Sequence, residues 1–527
     1  MTYHSDNYPA PAVTGAGIRE WAGLAVLALP TLLLGLDVTI LYLALPAMAV
    51  DLQPNSTQAL WIMDAYGFMI AGFLITMGTL GDRIGRRRLL LIGALAFATA
   101  SVIAAYATSA TMLIAARAAL GVAGATLMPS TLALISNLFG VARQRALAIG
   151  IWATMFALGM AAGPVVGGLL LDRFWWGAAF LIAVPVVGVL LVAAPLLLPE
   201  HRAITHGRLD LVSVLLSLMA ILLAIYGLKE MARVGWAPAP AVSLVTGVGL
   251  AILFVRRQYR LAHPLLDMRL FASRTFSAAL LVLLIGLIGV AGVMLLVTQY
   301  LQLVAGLSPW VAGLWMGPPA LMMVAAGIAA PLIARRVRPG HVVAGALALS
   351  APGYWLLVGV DISPEGVGVA VAGFSLVYLG LGTLAALGTD LVVSSAPADR
   401  AGSAAAMSEM VQELGVALGV ALLGSLATFV YRTRMSESNL DDLPFEVAGV
   451  VEEGLWGAVS ATGHLPAEIV LEAQRAFTAG LNVTGAIGGI GILALASVAA
   501  VFLRHVHALD EAVPSEAAEG RGSCPIP

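Results

Sequence analysis

Apolar runs of twenty residues or more, parted by short polar breaks, recur along nearly the whole chain. A helix needs about 20 mostly apolar residues to cross the hydrocarbon of a bilayer. On that measure the pattern predicts crossings near 21–46, 59–79, 89–107, 111–135, 146–170 and 177–197, then a pair near 210–228 and 238–255. Six more are expected near 275–299, 310–333, 341–360, 366–391, 402–429 and 478–503, fourteen in all. The first twenty residues are polar, and the run from Trp21 to Pro46 is longer than the roughly 7–15-residue core of a signal peptide, so it reads as a retained span. The longest polar interval, roughly 430–477, precedes the last span. Val447, Val450, Val451 and Leu455 recur there at helical spacing, which predicts an amphipathic helix.

Basic residues give this map an orientation. Alternate connections hold Arg19; Arg83, Arg86, Arg87 and Arg88; Arg143 and Arg145; Arg202 and Arg208; Arg256, Arg257, Arg260, Arg269 and Arg274; Arg335, Arg336 and Arg338; Arg400; and Arg504 with Arg521, twenty in all. The other side holds six, Arg173, Lys229, Arg233, Arg432, Arg434 and Arg475, while Arg117 falls within a span. Basic connections stay in the cytoplasm, so both termini are expected there and the 430–477 loop outside. That loop carries Glu437, Asp441, Asp442, Glu446, Glu452, Glu453, Glu468 and Glu472 against three arginines, a net charge of −5. It reads either as a solvated lid or as a surface that collects cations.

Composition narrows the function classes. The 527 residues are 60% hydrophobic and 11% charged, with a mean hydropathy of +0.96 and a net charge of −2. Soluble domains carry roughly 45–50% apolar and about 25% charged residues, so most of this surface must face lipid. The single cysteine, Cys524, excludes an intrachain disulfide or a cysteine-based metal site. Lys229 is the only lysine, and Gly227-Leu228-Lys229 does not make a GxxxxGK[ST] phosphate loop, so the chain has no nucleotide-fuelled motor of its own. No HExxH or comparable metal spacing occurs, His505 and His507 read as solvated tail residues, and no cofactor or nucleic-acid partner is implied.

An internal repeat divides the chain. Arg83-Ile84-Gly85 after the second span recurs as Arg338-Pro339-Gly340, displaced by 255. Gly159, Gly163 and Gly168 recur as Gly415, Gly419 and Gly424, displaced by 256. Agreement on one displacement at equivalent helices implies two six-helix halves with the pair at 210–255 inserted between them. The expected organisation is an all-α polytopic membrane protein: an N-terminal bundle over 1–200, two inserted helices over 201–260, a C-terminal bundle over 261–510 and a cytoplasmic tail over 511–527.

Two motifs carry more than topology. Between spans two and three runs Gly78-Thr79-Leu80-Gly81-Asp82-Arg83-Ile84-Gly85-Arg86-Arg87-Arg88. Its glycines permit a tight turn, and Asp82 is expected just ahead of a helix, where its charge suits the positive end of the dipole. Span five carries Gly150, Gly159, Gly163, Pro164, Gly167 and Gly168. Small residues at helical spacing let helices approach closely, and proline bends a helix. The loop resembles the signature loop of the major facilitator superfamily. The glycine run resembles the antiporter motif of its drug:proton antiporters, and span one, Leu36-Asp37-Val38-Thr39 ending in Ala44-Leu45-Pro46, resembles the first-span motif of the fourteen-span branch.

That likeness extends through Leu60 to Tyr66, Pro264 to Phe271 and Ala401 to Ala406, and is strongest to quaternary-ammonium-compound and multidrug efflux pumps. Two departures stand out. Tyr42 replaces the family's usual asparagine, and Ala320 to Val324 is apolar where some pumps carry an acid, which implies poorer handling of divalent cations. The resemblance also implies an outer helical hairpin at 430–477 and a part for Arg117 in proton transfer.

Ionisable groups inside spans are costly and face the protein interior or a water-filled cavity. Asp37 lies about sixteen residues into its span and is either a proton or cation site or a structural hydrogen-bonding aspartate. Asp64 shares a helix face with Trp61 and Phe68. A carboxylate beside aromatic faces suits an organic cation, although an interfacial aromatic belt gives the same pattern. Glu409 and Glu413 share a face, with Gln412 beside them. Nearby carboxylates in a poorly solvated site resist ionising together, so the pair can hold a proton and release it when a cation arrives. The alternative is that Glu409 reaches cytoplasmic water. The alternative for Arg117 is a simple ion pair with a neighbouring acid, and Asp390 reads as interfacial. The expected activity is proton-coupled export of lipophilic organic cations and other drugs across the cytoplasmic membrane, with drugs, protons and lipid as partners. The alternative is a dedicated exporter of a secondary metabolite or antibiotic that gives self-resistance. A membrane-embedded enzyme or channel would need a constellation that the chain lacks.

Overall fold

The computed structural model describes residues 16–139, 141–200, 210–261, 264–397, 400–437, 445–460 and 465–504. Asp441, Asp442, the Glu446 side chain, His505, His507, Cys524 and the tail at 511–527 lie outside the described residues. Fourteen helices are long and apolar enough to cross a membrane, in the predicted order, and no strand occurs among the described residues. Several begin where sequence supplies a cap. Asn55 and Gln58 form a reciprocal capping box at the start of Ser56–Ile84, and Ser109 and Ser308 cap Ala110–Leu138 and Pro309–Trp315. The tenth span breaks at Met316 just before Pro318-Pro319, whose missing N–H groups cannot continue a helical ladder. The last span starts at Ala467, eleven residues before the apolar run, because Glu468, Glu472 and Arg475 extend the helix beyond the hydrocarbon.

The repeat in the glycines is a repeat in packing. Span one (Ile18–Leu52) lies along span five (Ala142–Arg173), and span nine (Arg274–Val304) along span thirteen (Ala401–Met435). A Cβ added at Gly159 would meet Leu32 O at 2.3 Å, and one at Gly163 would meet Thr39 Oγ1 at 1.8 Å. In the second half, Gly415 abuts Leu284 and Leu287, and Gly419 abuts Ile288 O at 2.5 Å. The loop glycines correspond less closely. Gly85 has φ 110° and sits against the Glu200 carboxylate at the end of span six. Gly340 lies inside a helix that starts at Pro339, against Leu503 at the end of span fourteen. Each nonetheless ties the third helix of its half to the sixth.

The end of the bundle carrying the Gly85 loop is the proximal end, and the opposite end is distal. The halves meet along spans two and thirteen, where Leu60 packs on Gly424 and Gly67 on Ala417, and along spans five and ten, where Gly168 meets Pro309 and Gly313 meets Pro164. The contacts at Leu60, Gly168 and Gly313 lie in the distal half. The short helices Phe445–Glu453 and Leu455–Ser460 cover that end; of the apolar positions at helical spacing Val451 and Leu455 are buried, Val447 is half-buried and Val450 is exposed. Tyr431 donates to Val451 O at 2.8 Å and fixes them to span thirteen.

The inserted seventh span (Leu211–Val234) packs on the seam between spans two and thirteen, and the eighth (Pro238–Arg260) packs on the seventh. The two are pinned proximally by Arg257–Asp210 at 2.9 Å. Burial would push the Asp210 carboxyl up, but the Ser213 hydroxyl and N–H and the Arg257 guanidinium outweigh it and hold it below the usual range. Two sequence expectations need correction. Lys229, counted among outer-side basic residues, is fully buried inside span seven. Asp82 does not precede a helix; it lies in the last turn of span two, where the dipole disfavours it, and Arg86 at 2.6 Å supplies the compensating charge.

Candidate functional site

Asp37 lies near the middle of span one, and the close glycine contacts with span five fix its height. Arg117, on span four, reaches it at 2.8 Å, with only 2% of the arginine side chain and 11% of the aspartate exposed. The guanidinium also donates to Ile62 O at 3.1 Å and Met63 O at 3.5 Å and lies 4.5 Å from the centre of the Tyr66 ring. A buried charge is tolerated when it is paired and its remaining donors are satisfied. Arg117 meets that condition with partners on two different helices, so it locks spans one, two and four together.

Tyr66 was not singled out from the sequence. Its hydroxyl is buried without a hydrogen-bond partner among the described residues, and it sits in the fields of Asp37, Glu413 and Arg117. Tyr42, where the family has asparagine, is buried within reach of Asp64 and Arg117. The departure therefore puts a phenol hydroxyl, in place of an amide, inside the polar cluster.

Asp64 is not free to await a ligand. Lys229 Nζ lies 2.9 Å from Oδ1 and 2.7 Å from Oδ2, both side chains are 0% exposed, and the ammonium stands 4.0 Å from the centre of the Trp61 ring. Phe68 points into an apolar patch of Ile225, Ala417 and Ala421, edge-on to Trp61 with ring centroids 6.0 Å apart. The face inferred from helical spacing is real, but an ammonium of the chain itself already fills its carboxylate and indole. Sequence reasoning missed Lys229 because hydropathy put it past the end of its span. The available signal was its rarity, the one lysine in the chain, directly after an apolar run.

On span thirteen, Glu413 is buried and Glu409 half-buried, and among the described residues neither has an ion-pair partner. Glu413 is coupled electrostatically to Glu409 and, across the seam, to Asp37. Gln412 donates to Thr389 Oγ1 at 3.3 Å, so it braces span twelve and does not join the acids. Asp390 is exposed. Asp37, Tyr66, Arg117 and Glu413 thus form one cluster between the halves, with Asp64 and Lys229 at its distal edge.

The loop around Gly85 is a separate construction at the proximal end. Arg86 binds Asp82 and reaches Pro129 O at 3.4 Å, Gly78 lies beside Pro129, Arg83 is half-buried, and the Arg87 N–H donates to Glu200 at 3.1 Å. Spans two, three, four and six are clasped at their proximal ends. Among the described residues no group of three or more His, Cys, Asp or Glu side chains could hold a metal ion.

Two six-helix repeats with intramembrane acids at their seam define a secondary transporter, a multi-pass membrane protein and not an enzyme. The sequence profile of the Major Facilitator Superfamily matches residues 27–420, and the chain belongs to that superfamily. It is 42% identical to the multidrug efflux pump LfrA of Mycolicibacterium smegmatis, over 94% of this chain and 98% of that one. It is 36% identical to the methyl viologen resistance protein SmvA of Salmonella typhimurium, over 77% and 82%. It is 31% identical to the tetracenomycin C resistance and export protein of Streptomyces glaucescens, over 96% and 95%. Its fold matches that of a bacterial homologue of the human lysosomal transporter Spinster with a TM-score of 0.65 at 16% identity, over 93% and 98% of the two chains.

Proposed function

We propose that this protein is a multidrug efflux pump that exchanges protons for lipophilic organic cations across the cytoplasmic membrane, with both termini in the cytoplasm. The observation that carries the reading is the Asp37–Arg117 pair facing Glu413 across the seam, with Glu409 acting on Glu413 and neither glutamate ion-paired among the described residues. A carboxylate without a counter-ion holds either a proton or a cation, and that exclusivity is the requirement for exchange. Likeness to a multidrug pump and to a methyl viologen resistance protein supports organic cations as cargo. Proton entry has adequate drive, since a membrane potential supplies about 2.3 kcal/mol per charge per 100 mV. The glycine-packed spans one and five and the clasped proximal loop act as rigid parts that rock about the seam.

Everted vesicles loaded by respiration should therefore accumulate ethidium, and an uncoupler should abolish the uptake. Transport that persists in fully uncoupled, ATP-supplied vesicles would reject proton coupling. A second reading, a dedicated exporter of an antibiotic, is favoured by the likeness to the tetracenomycin exporter over nearly the full chain. A profile restricted to neutral polyketide-like compounds would select it.

The orientation rests on the arginine distribution. A reporter fused after Arg504 should report cytoplasm and one inserted at Asp441 the outside. Both on one side would mean that Ala467–Phe502 does not cross.

A further inference from the structure

Asp64, Trp61 and Lys229 have the chemistry of a ligand site with its ligand in place. The carboxylate holds the ammonium with Oδ1 accepting a hydrogen bond at 2.9 Å and Oδ2 at ion-pair distance, 2.7 Å, and the indole face lies 4.0 Å from the nitrogen. A carboxylate backed by an aromatic ring is how a protein recognises an organic cation. The ligand arrives from the inserted seventh span, an element outside both halves that otherwise only lines the seam. That helix is anchored independently just distal to the lysine. Glu230 accepts from Thr57 at 3.0 Å and pairs with Arg233, and Arg233 pairs with Glu453 at 3.1 Å. Glu453 in turn accepts from Ser56 N and Oγ. The helix end would stay in place if the Lys229 side chain swung away. On its other side Asp64 looks into the central cluster, within electrostatic reach of Tyr42 and Arg117.

We propose that Lys229 is a specificity-determining residue, a tethered ammonium that occupies the Asp64–Trp61 site and that a cationic substrate must displace to bind there. This rests on the organic-cation reading above. Tethering gives the lysine a high effective concentration, so a competitor must offer more than a point charge. A small, strongly hydrated amine offers nothing that the lysine does not already supply. A large cation with delocalised charge loses less hydration on entry and covers more of the Trp61 face, so the site selects lipophilic cations by rejecting the others. The displaced ammonium has a flexible stem and lies five residues from the distal end, where it can reach water.

Because the chain holds one lysine, protein grown with 13Cε-lysine gives a single side-chain methylene cross-peak, which the Trp61 ring current shifts upfield. Saturating tetraphenylphosphonium, its binding measured separately by equilibrium dialysis, should return that peak to the position seen in Trp61→Leu protein. The neutral dye Nile red should leave it unmoved. Lys229→Met should bind tetraphenylphosphonium at least about tenfold more tightly, with Nile red affinity changed less than about twofold, a split that a purely structural lysine would not produce. Should that variant misfold, the wild-type spectrum still decides. Tetraphenylphosphonium bound with the cross-peak unmoved, or bound no more tightly by a folded Lys229→Met protein, overturns the inference alone. No binding to either protein defeats the organic-cation reading and the inference with it.

Discussion

Asp37→Asn is expected to stop proton-driven efflux of every substrate while leaving the protein folded, and Arg117→Met to cost both activity and stability. The asymmetry follows from the partners of each side chain. Asparagine keeps the shape of Asp37 and one acceptor oxygen. Arg117 would then retain Ile62 O, Met63 O and the Tyr66 ring. Removing Arg117 instead strands a buried carboxylate already coupled to Glu413, a loss of about 3–5 kcal/mol for a broken buried pair. Neutralising Glu409 should be selective, harming divalent cations more than monovalent ones, because one carboxylate suffices for one charge. The measurements are substrate-specific efflux at matched expression and thermal unfolding in detergent. If Asp37→Asn keeps near wild-type proton-driven efflux while neutralising Glu409, Glu413 or Asp64 abolishes it, the proton carrier lies in span two or thirteen.

The fold was legible because lipid imposes a simple rule: each span must be long, apolar and internally hydrogen-bonded, and fourteen such runs stand out without reference to their neighbours. The intramembrane acids were legible for the same reason, as rare violations of that rule. Their partners were not. Whether Arg117 meets Asp37 depends on how spans one and four cross, and nothing within either helix states that. Lys229 shows the limit most clearly: hydropathy ended its helix nearly two turns early and placed the ammonium in water, whereas Asp64, 165 residues away, draws it inside. Asp82 failed differently. Its loop reads as a turn followed by a helix, but the helix before Gly85 runs on through Ile84, so the aspartate caps nothing and depends on Arg86.

The glycines of span five should divide sharply by what faces them, although the sequence presents them as one motif. Gly150 has nothing within 4 Å of an added Cβ, so Gly150→Ala should stay within about 0.5 kcal/mol of wild type and transport normally. Gly167→Ala would place a methyl 3.2 Å from Ile40 Cγ2, a contact that a small side-chain shift relieves, and efflux should fall only modestly. Gly159→Ala has no such escape. Its Cβ would lie 2.3 Å from Leu32 O and 3.0 Å from Leu36 N, both backbone atoms, so span one must move away from span five. Gly35→Ala should behave alike, since its Cβ would meet Phe156 O at 2.3 Å. Asp37 is two residues beyond Gly35, so a displacement of about 1 Å carries it off the Arg117 guanidinium. A misplacement of that size in a working site costs on the order of 100-fold in rate. Ethidium efflux and melting temperature across the four variants check the ordering. Full activity in Gly159→Ala, or damage in Gly150→Ala equal to that in Gly159→Ala, would show that the motif acts through something other than the contact between spans one and five.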